Sequence, residues 1–323
     1  MPRPAGMAGI LVALGGNALH RAGGSGSWEE ARGQMRQAVS ILAEVAAGGE
    51  VLVLSHGNGP QVGALLRQNE LAAREIPPRP MDVLGAETQG QIGYLLQTEL
   101  TPALLRHGVR RSVLTVISRT EVAADDPAFA HPSKPVGRYY PEDEARLLRK
   151  QYGWAMQYDG ARGGWRRIVP SPRPVRWIEG EAIRSLLESN LGSSWIPIVA
   201  GGGGIPVVRR PDGTYEGVEA VIDKDLAASM VARELGINTL AIVTDVPGAA
   251  VAFGKRGERW LTQVTRRELA EFQRRGEFGD GSMGPKVAAG LEFLEGGGRR
   301  FVITDIPSLA RALRGEAGTR VEA

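Results

Sequence analysis

The sequence runs to 323 residues, 42% hydrophobic and 23% charged, the balance of an ordinary globular chain long enough for one large core or two. The formal charge is only +3 and basic residues cluster no further than pairs such as Arg166-Arg167, which argues against a nucleic-acid partner. No cysteine is present, so disulfides, thiolate catalysis and cysteine-bound metals are excluded.

The first element is an apolar strand-like run, "ILVALGGN" (10–17). It is too short to cross a bilayer and lacks a signal-peptide layout, so no membrane partner and a cytoplasmic location are expected. Ser27 then stands as a helix cap before "WEEARGQMRQAVSILAEVAAGG", which closes at glycine. A second strand, "VLVLSHGNG" (51–59), leads into "PQVGALLRQNELAARE", with Pro60 at a first helical position. The apolar helix "VLGAETQGQIGYLLQTEL" (83–100) reads as core or as a dimer face, and "RSVLTVISRT" (111–120) as a third strand. Residues 125–180 break the pattern, holding three of the six Trp, four of the six Tyr and a hairpin signature, "QYDGARGGWRRI". This segment is expected to form a small inserted, protruding subdomain over the sheet, serving as a lid or as a decorated crossover with its own aromatic mini-core.

Regular alternation resumes with the strand "WIPIVAGGGG" (195–204), the helix "DKDLAASMVARELGI", the strand "TLAIVTD" (239–245), the helix "GPKVAAGLEFLEGGG" and the strand "RFVITD" (300–305). Continuous apolar runs between helices predict an open, mostly parallel α/β sheet. Ligands of such sheets gather at the carboxyl ends of the strands.

Four glycine-rich strand ends would meet there: "GGNAL" (15–19), "HGNGPQVG" (56–63), "GGGG" (201–204) and "GSMGPK" (281–286). Glycine lets backbone approach an anion, and a following helix N-terminus offers free N–H donors. Neither the Walker spacing nor a full dinucleotide fingerprint is present. Asn17 and Asn58, two of only five Asn, sit inside these clusters as oxyanion donors or as turn formers.

Only five of the 39 cations are Lys: Lys134, Lys150, Lys224, Lys255 and Lys286. Where nearly every positive position has become Arg, a remaining Lys marks a site that needs a compact ammonium. Lys224 and Lys286 each open a helix, where a cation opposes the macrodipole; an anion between them would resolve the conflict. Asp223 reads as a helix cap, and Lys224 reads as an anion ligand or as half of a surface ion pair. Two lysines with glycine N–H groups suit phosphoryl transfer, with Asp225 holding a lysine and Mg²⁺ bridging phosphate oxygens. No His is needed, and His56 is expected to be a hydrogen-bonded structural residue.

Together, "LVALGGNAL", "SHGNGPQVG", "HPSKPVG", "PIVAGGGGIPV", "EAVIDKDLAA", "VTDVPG", "FGK", "GSMGPK" and "GEAGTRV" resemble the amino acid kinase family, in order and over essentially the whole chain. Within it they resemble the branch that transfers phosphoryl between ATP and carbamate. The resemblance implies one domain over 1–323, a three-layer αβα sandwich with a central eight-stranded, mostly parallel sheet. It implies the reversible reaction ATP plus carbamate to ADP plus carbamoyl phosphate, used in fermentative arginine catabolism, with Mg²⁺ held mainly by phosphates. Lys134, Lys224, Asp225 and Lys286 would be catalytic. Gly15, Gly16, Asn17, Gly57, Asn58, Gly59, Gly202 and Gly203 would hold the carbamoyl end. Asp245, Lys255, Gly281, Ser282 and Met283 would hold ATP or ADP. No resident metal is implied, and a homodimer is. The chain departs from the family pattern at Ala250 and Arg138. Competing readings are an acetylglutamate kinase-like enzyme and a non-catalytic sensor of carbamoyl phosphate or nucleotide.

Overall fold

Strand β1 (Met7–Leu14) is buried from Gly9 onward, because alternate side chains enter two different cores. In the computed structural model, which describes residues 7–16, 27–160, 162–189, 191–279 and 282–323, Ile10, Val12 and Leu14 share one cluster with helices α1 (Trp28–Ala47), α3 (Met81–Arg106) and α9 (Leu309–Leu313). Leu11 and Ala13 share the other with α5 (Gly180–Glu188), α6 (Lys224–Glu234), α7 (Arg266–Arg274) and α8 (Met283–Glu295). A sheet apolar on both faces and covered on both by helices gives three layers, αβα.

The central sheet has eight strands in the order β15 (Gln263–Thr265), β17 (Thr319–Glu322), β16 (Arg300–Asp305), β12 (Ile237–Thr244), β1, β2 (Val51–His56), β9 (Trp195–Ile198) and β3 (Ser112–Thr115). Every neighbouring pair is parallel except β16 and β17. Strands β1, β2, β9, β12 and β16 therefore end at one edge, where the Gly15, Gly57, Gly201 and Asp245 loops leave the sheet. No helix among the described residues is long and apolar enough to cross a membrane.

Caps act where the sequence puts them. Ser27 accepts from the Glu30 backbone at the start of α1, and Asp223 accepts from the Asp225 and Leu226 backbones at the start of α6. Helix α2 (Gly59–Ala72) starts one residue before Pro60, and α8 starts at Met283, ahead of the Gly-Pro-Lys triplet.

The run 111–120, read as one strand, is two. Its first half is β3 in the central sheet, and its second half is β4 (Arg119–Val122) in a four-stranded sheet with β8 (Pro174–Trp177), β10 (Ile205–Arg209) and β11 (Tyr215–Gly217). The break falls at Ser118, whose N–H donates to Gln89 Oε1 at 2.7 Å and whose carbonyl accepts from Gln89 Nε2 at 3.1 Å. A side-chain amide from α3 thus replaces the neighbouring strand at that point.

Within the segment 125–180, β5 (Lys134–Tyr140), β6 (Met156–Asp159) and β7 (Gly164–Val169) form a three-stranded antiparallel sheet, and α4 (Glu142–Tyr152) lies between β5 and β6 in the chain. Tyr140, Ala145 and Met156 make its small core with Trp154 and Trp165 against them. Trp177 packs instead in the main core beside α5 and α6. A two-stranded ribbon, β13 (Ala250–Val251) with β14 (Arg259–Trp260), completes the sheets.

Candidate active site

The tetraglycine loop after β9 is built on positive φ. Gly202, Gly203 and Gly204 have φ of 68°, 96° and 89°, and Ala200 just before them has 48°. Side chains are excluded on steric grounds as well: a Cβ at Gly202 would lie 2.3 Å from the Asn58 amide nitrogen, and one at Gly204 would lie 2.0 Å from Thr120 Oγ1. A buried polar layer supports the loop. Ser118 Oγ accepts from the Ala200 N–H at 2.9 Å, Gln89 Nε2 donates to the Gly201 carbonyl at 3.0 Å, and Ser55 Oγ donates to the Ala200 carbonyl at 3.3 Å.

His56 belongs to the same layer. Its Nδ1 donates to the Gly57 carbonyl at 3.1 Å, and its Nε2 lies under Gly201. Burial drives its pKa down to about 4, against a smaller upward effect of the Gly57 hydrogen bond, so the ring is neutral at pH 7. It does not line the cavity above.

That cavity, of about 460 Å³, opens at the carboxyl edge of the sheet. Its lining includes Gly15, Gly16, Gly57, Asn58, Gly59 and Gly202, joined by Lys134, Lys224, Asp225, Asp245, Ser282 and Lys286. Asp225 is its electrostatic centre. Its Oδ1 accepts from Lys224 Nζ and its Oδ2 from Lys286 Nζ at 3.3 Å, while only 3% of the residue is exposed. Lys286 Nζ also donates to the Ser282 carbonyl at 3.1 Å, one helical turn back. One carboxylate thus spaces two ammonium groups and leaves them with a net positive charge. Burying such a set costs desolvation that a hydrophobic cluster would avoid.

Asp223, two residues earlier, serves two partners. Its Oδ1 caps α6, and its Oδ2 accepts from Lys134 Nζ at 3.0 Å. Burial alone would raise its pKa; Lys134 and the two backbone N–H groups outweigh that and hold the carboxyl below its ordinary value.

The remaining expected residues divide. Asn58 does not cap α2 with its side chain but donates to Thr88 Oγ1 at 2.9 Å. Gly203 is buried behind the lining, where a Cβ would lie 2.6 Å from the Ile222 carbonyl. Asp245 lines the cavity and accepts from Thr244 Oγ1 at 3.1 Å. Met283, the first residue of α8, packs against the main core, and Lys255 is an exposed turn residue; neither lines the cavity. Asn17 and Gly281 lie outside the described residues.

Arg166 is a lining residue that the sequence does not distinguish. It is half of a basic pair on β7, and neighbouring strand residues face opposite ways. Arg167 pairs with Glu219 at 2.7 Å, whereas Arg166 reaches the cavity and donates to the Gly137 carbonyl at 3.0 Å.

Residues 9–305 match the amino acid kinase family. The chain belongs to the amino acid kinase family. Among members of that family, it is 45% identical to the carbamate kinase of Pyrococcus furiosus over 97% of this chain and 98% of that protein. A crystal structure of an Aeropyrum pernix protein superposes with a TM-score of 0.89 at 44% identity, covering 97% of this chain and 99% of that one. The carbamate kinase of Giardia lamblia bound to AMP-PNP superposes with a TM-score of 0.90 at 38% identity, covering 98% of both chains.

Proposed function

We propose that this member of the amino acid kinase family transfers a phosphoryl group reversibly between ATP and carbamate, forming ADP and carbamoyl phosphate. The observation that carries it is the Lys224–Asp225–Lys286 set facing a glycine-lined cavity. A phosphoryl group in transfer spreads negative charge over its equatorial oxygens, and two fixed ammonium groups are complementary to that charge. Asp225 keeps them in place before substrate arrives, so little reorganisation remains for the chemical step. Lys134 and Arg166 add mobile and planar cations from the three-stranded unit. No general base is required: the attacking ADP oxygen in one direction, and the carbamate oxygen in the other, is already anionic.

Gly15, Gly16 and Gly57 line the acceptor end without side chains, and the Gly15 and Gly57 N–H groups are themselves held by the Val243 and Leu14 carbonyls at 2.9 Å each. A Cβ at Gly57 would lie 3.0 Å from both Gly16 N and Lys224 Cδ, so a side chain there would crowd the Lys224 stem. Mg²⁺ would be held mainly by the phosphate oxygens of the nucleotide, in keeping with the ion's preference for phosphate and water. Asp223 and Asp225 are engaged by lysines. Asp245, Ser282 and the start of α8 are the nucleotide side. The direction forming ATP, in fermentative arginine breakdown, fits the lability of an acyl phosphate donor. The exposed Val83, Tyr94 and Leu105 on α3 support pairing of two copies, which sedimentation would test.

The deciding assay couples ATP formation to a reporter, with ADP and carbamoyl phosphate as substrates. ATP should form with carbamoyl phosphate, and N-acetylglutamate should not be phosphorylated by ATP. Phosphorylation of N-acetylglutamate would favour the larger-acceptor kinase, and binding of carbamoyl phosphate without turnover would favour a sensor.

A further inference from the structure

Two of the cavity's cations, Lys134 and Arg166, come from the three-stranded unit, and both lead to one irregularity in it. Pairing of β5 with β7 runs in register from Lys134↔Val169 to Val136↔Arg167, then resumes only at Tyr140↔Trp165. Four residues of β5 thus oppose two of β7, a bulge that turns residues 137–139 out of the ladder. Gly137 has a φ of 70°, and its freed carbonyl is the acceptor for Arg166. Lys134 lies three residues before it.

From α2 the bulge is fastened by one carboxylate, in addition to Asp159, which accepts from the Tyr139 hydroxyl at 2.8 Å. Glu70, in the last turn of α2, accepts from the Tyr140 hydroxyl, from Arg138 Nε at 3.3 Å and from Arg67 Nη1 at 3.1 Å. The Arg138 guanidinium sits 4.2 Å from the centroid of the Tyr140 ring and reaches on to Glu144 of α4. Tyr140 is 2% exposed, and burial followed by the Glu70 bond pushes its phenol well above the ordinary range, so it remains a donor at neutral pH. Glu70 stands ~16 Å along the helix from Gly59, which lines the cavity, at ~1.5 Å per residue. Helix α2 therefore touches the cavity at one end and the clasp at the other.

We propose that Glu70 is a positioning residue that sets the 137–139 bulge and thereby holds Lys134 and Arg166 in the cavity. This rests on the phosphoryl-transfer reading above for its kinetic arm but not for its structural arm. A packing role alone would change stability and act equally in every background. A positioning role acts through the cations, so its kinetic effect disappears once a cation is gone.

The test is a double-mutant cycle with hydrogen exchange beside it. Glu70→Gln should lower kcat/KM for carbamoyl phosphate about tenfold with a melting temperature within a few degrees of wild type. In the Lys134→Ala background the same change should cost less than about twofold, because the positioned group is absent. Amide exchange over 134–140 should rise at least about tenfold in Glu70→Gln, with β1 and β12 unchanged. Tyr140→Phe, which deletes one hydroxyl and keeps the ring under Arg138, should move both readouts the same way by about threefold and covers the case in which Glu70→Gln folds poorly. An equal cost in both backgrounds, or unchanged exchange over 134–140 in both variants, overturns the proposal. If the wild-type protein makes no ATP from carbamoyl phosphate, the function fails while the exchange arm still decides the clasp.

Discussion

The cavity is served by two lysine–aspartate arrangements of the same chemistry but opposite setting. In the first, Lys224 and Lys286 share Asp225, and the side chains are only 16%, 10% and 4% exposed. Their helices, α6 and α8, pack together in the main core. In the second, Lys134 reaches Asp223 from β5, and the side chains are 43% and 17% exposed. Screening by water leaves an exposed pair worth little, whereas a buried set keeps its geometry because no water can replace a lost partner. The first arrangement is a fixed template for charge. The second is more exposed and so costs less to separate, and we propose that it parts and re-forms as the three-stranded unit responds to ligand.

The contrast can be broken most severely at the fixed half. Lys286→Ala should lower turnover by roughly two or more decades, the loss typical of removing one preorganised oxyanion contact. Turnover within a few-fold of wild type would show that the buried set is structural. Lys224→Arg keeps the charge, but a planar fork has to pass where Gly57 already confines the Lys224 stem. A fall of about a hundredfold in kcat with an unchanged melting temperature is expected, since a shift of ~1 Å can cost that much. The exposed Lys150→Arg is its control and should be silent in both measurements.

The more exposed half should yield less. Lys134→Ala is expected to cost about tenfold in kcat/KM, and saturating nucleotide with carbamoyl phosphate should protect 134–169 from proteolysis in the wild type. A loss as large as that of Lys286→Ala would erase the distinction between the two arrangements.

Acid acts on the layer under the tetraglycine loop before it reaches the Lys134–Asp223 pair. His56, under the tetraglycine loop, has a folded pKa of about 4 against an ordinary 6.5. Between these values the unfolded chain binds the extra proton, so stability falls as pH drops from 6.5 to about 4 and levels off below, a change on the order of 3 kcal/mol at ~1.36 kcal/mol per unit. Asp223 has its pKa lowered in the fold, so its contribution is present above its ordinary 3.8 and is lost only as pH falls below that. Melting temperature followed from pH 7 to 3 should therefore decline first through His56, and His56→Gln should flatten the upper part of the curve if the protein folds with it.

What the sequence by itself determined is local. Apolar runs between helices, the caps Ser27 and Asp223, and the glycines at strand ends all depend on energies set within a few residues, and each appears in the fold where its neighbours place it. The scarcity of Lys likewise marked Lys134, Lys224 and Lys286 as cations worth following, but the same argument marked Lys255, which is an exposed turn residue outside the cavity lining. Tertiary structure decided the rest. Lys286 meets Asp225 across 61 positions only because α6 and α8 pack side by side. Which member of Arg166-Arg167 enters the cavity follows from the register of β7, and the 111–120 run breaks because Gln89, on a different helix, supplies the hydrogen bonds that a neighbouring strand would have made. Register and packing join residues far apart in the chain, and no short-range pattern encodes the distance between them.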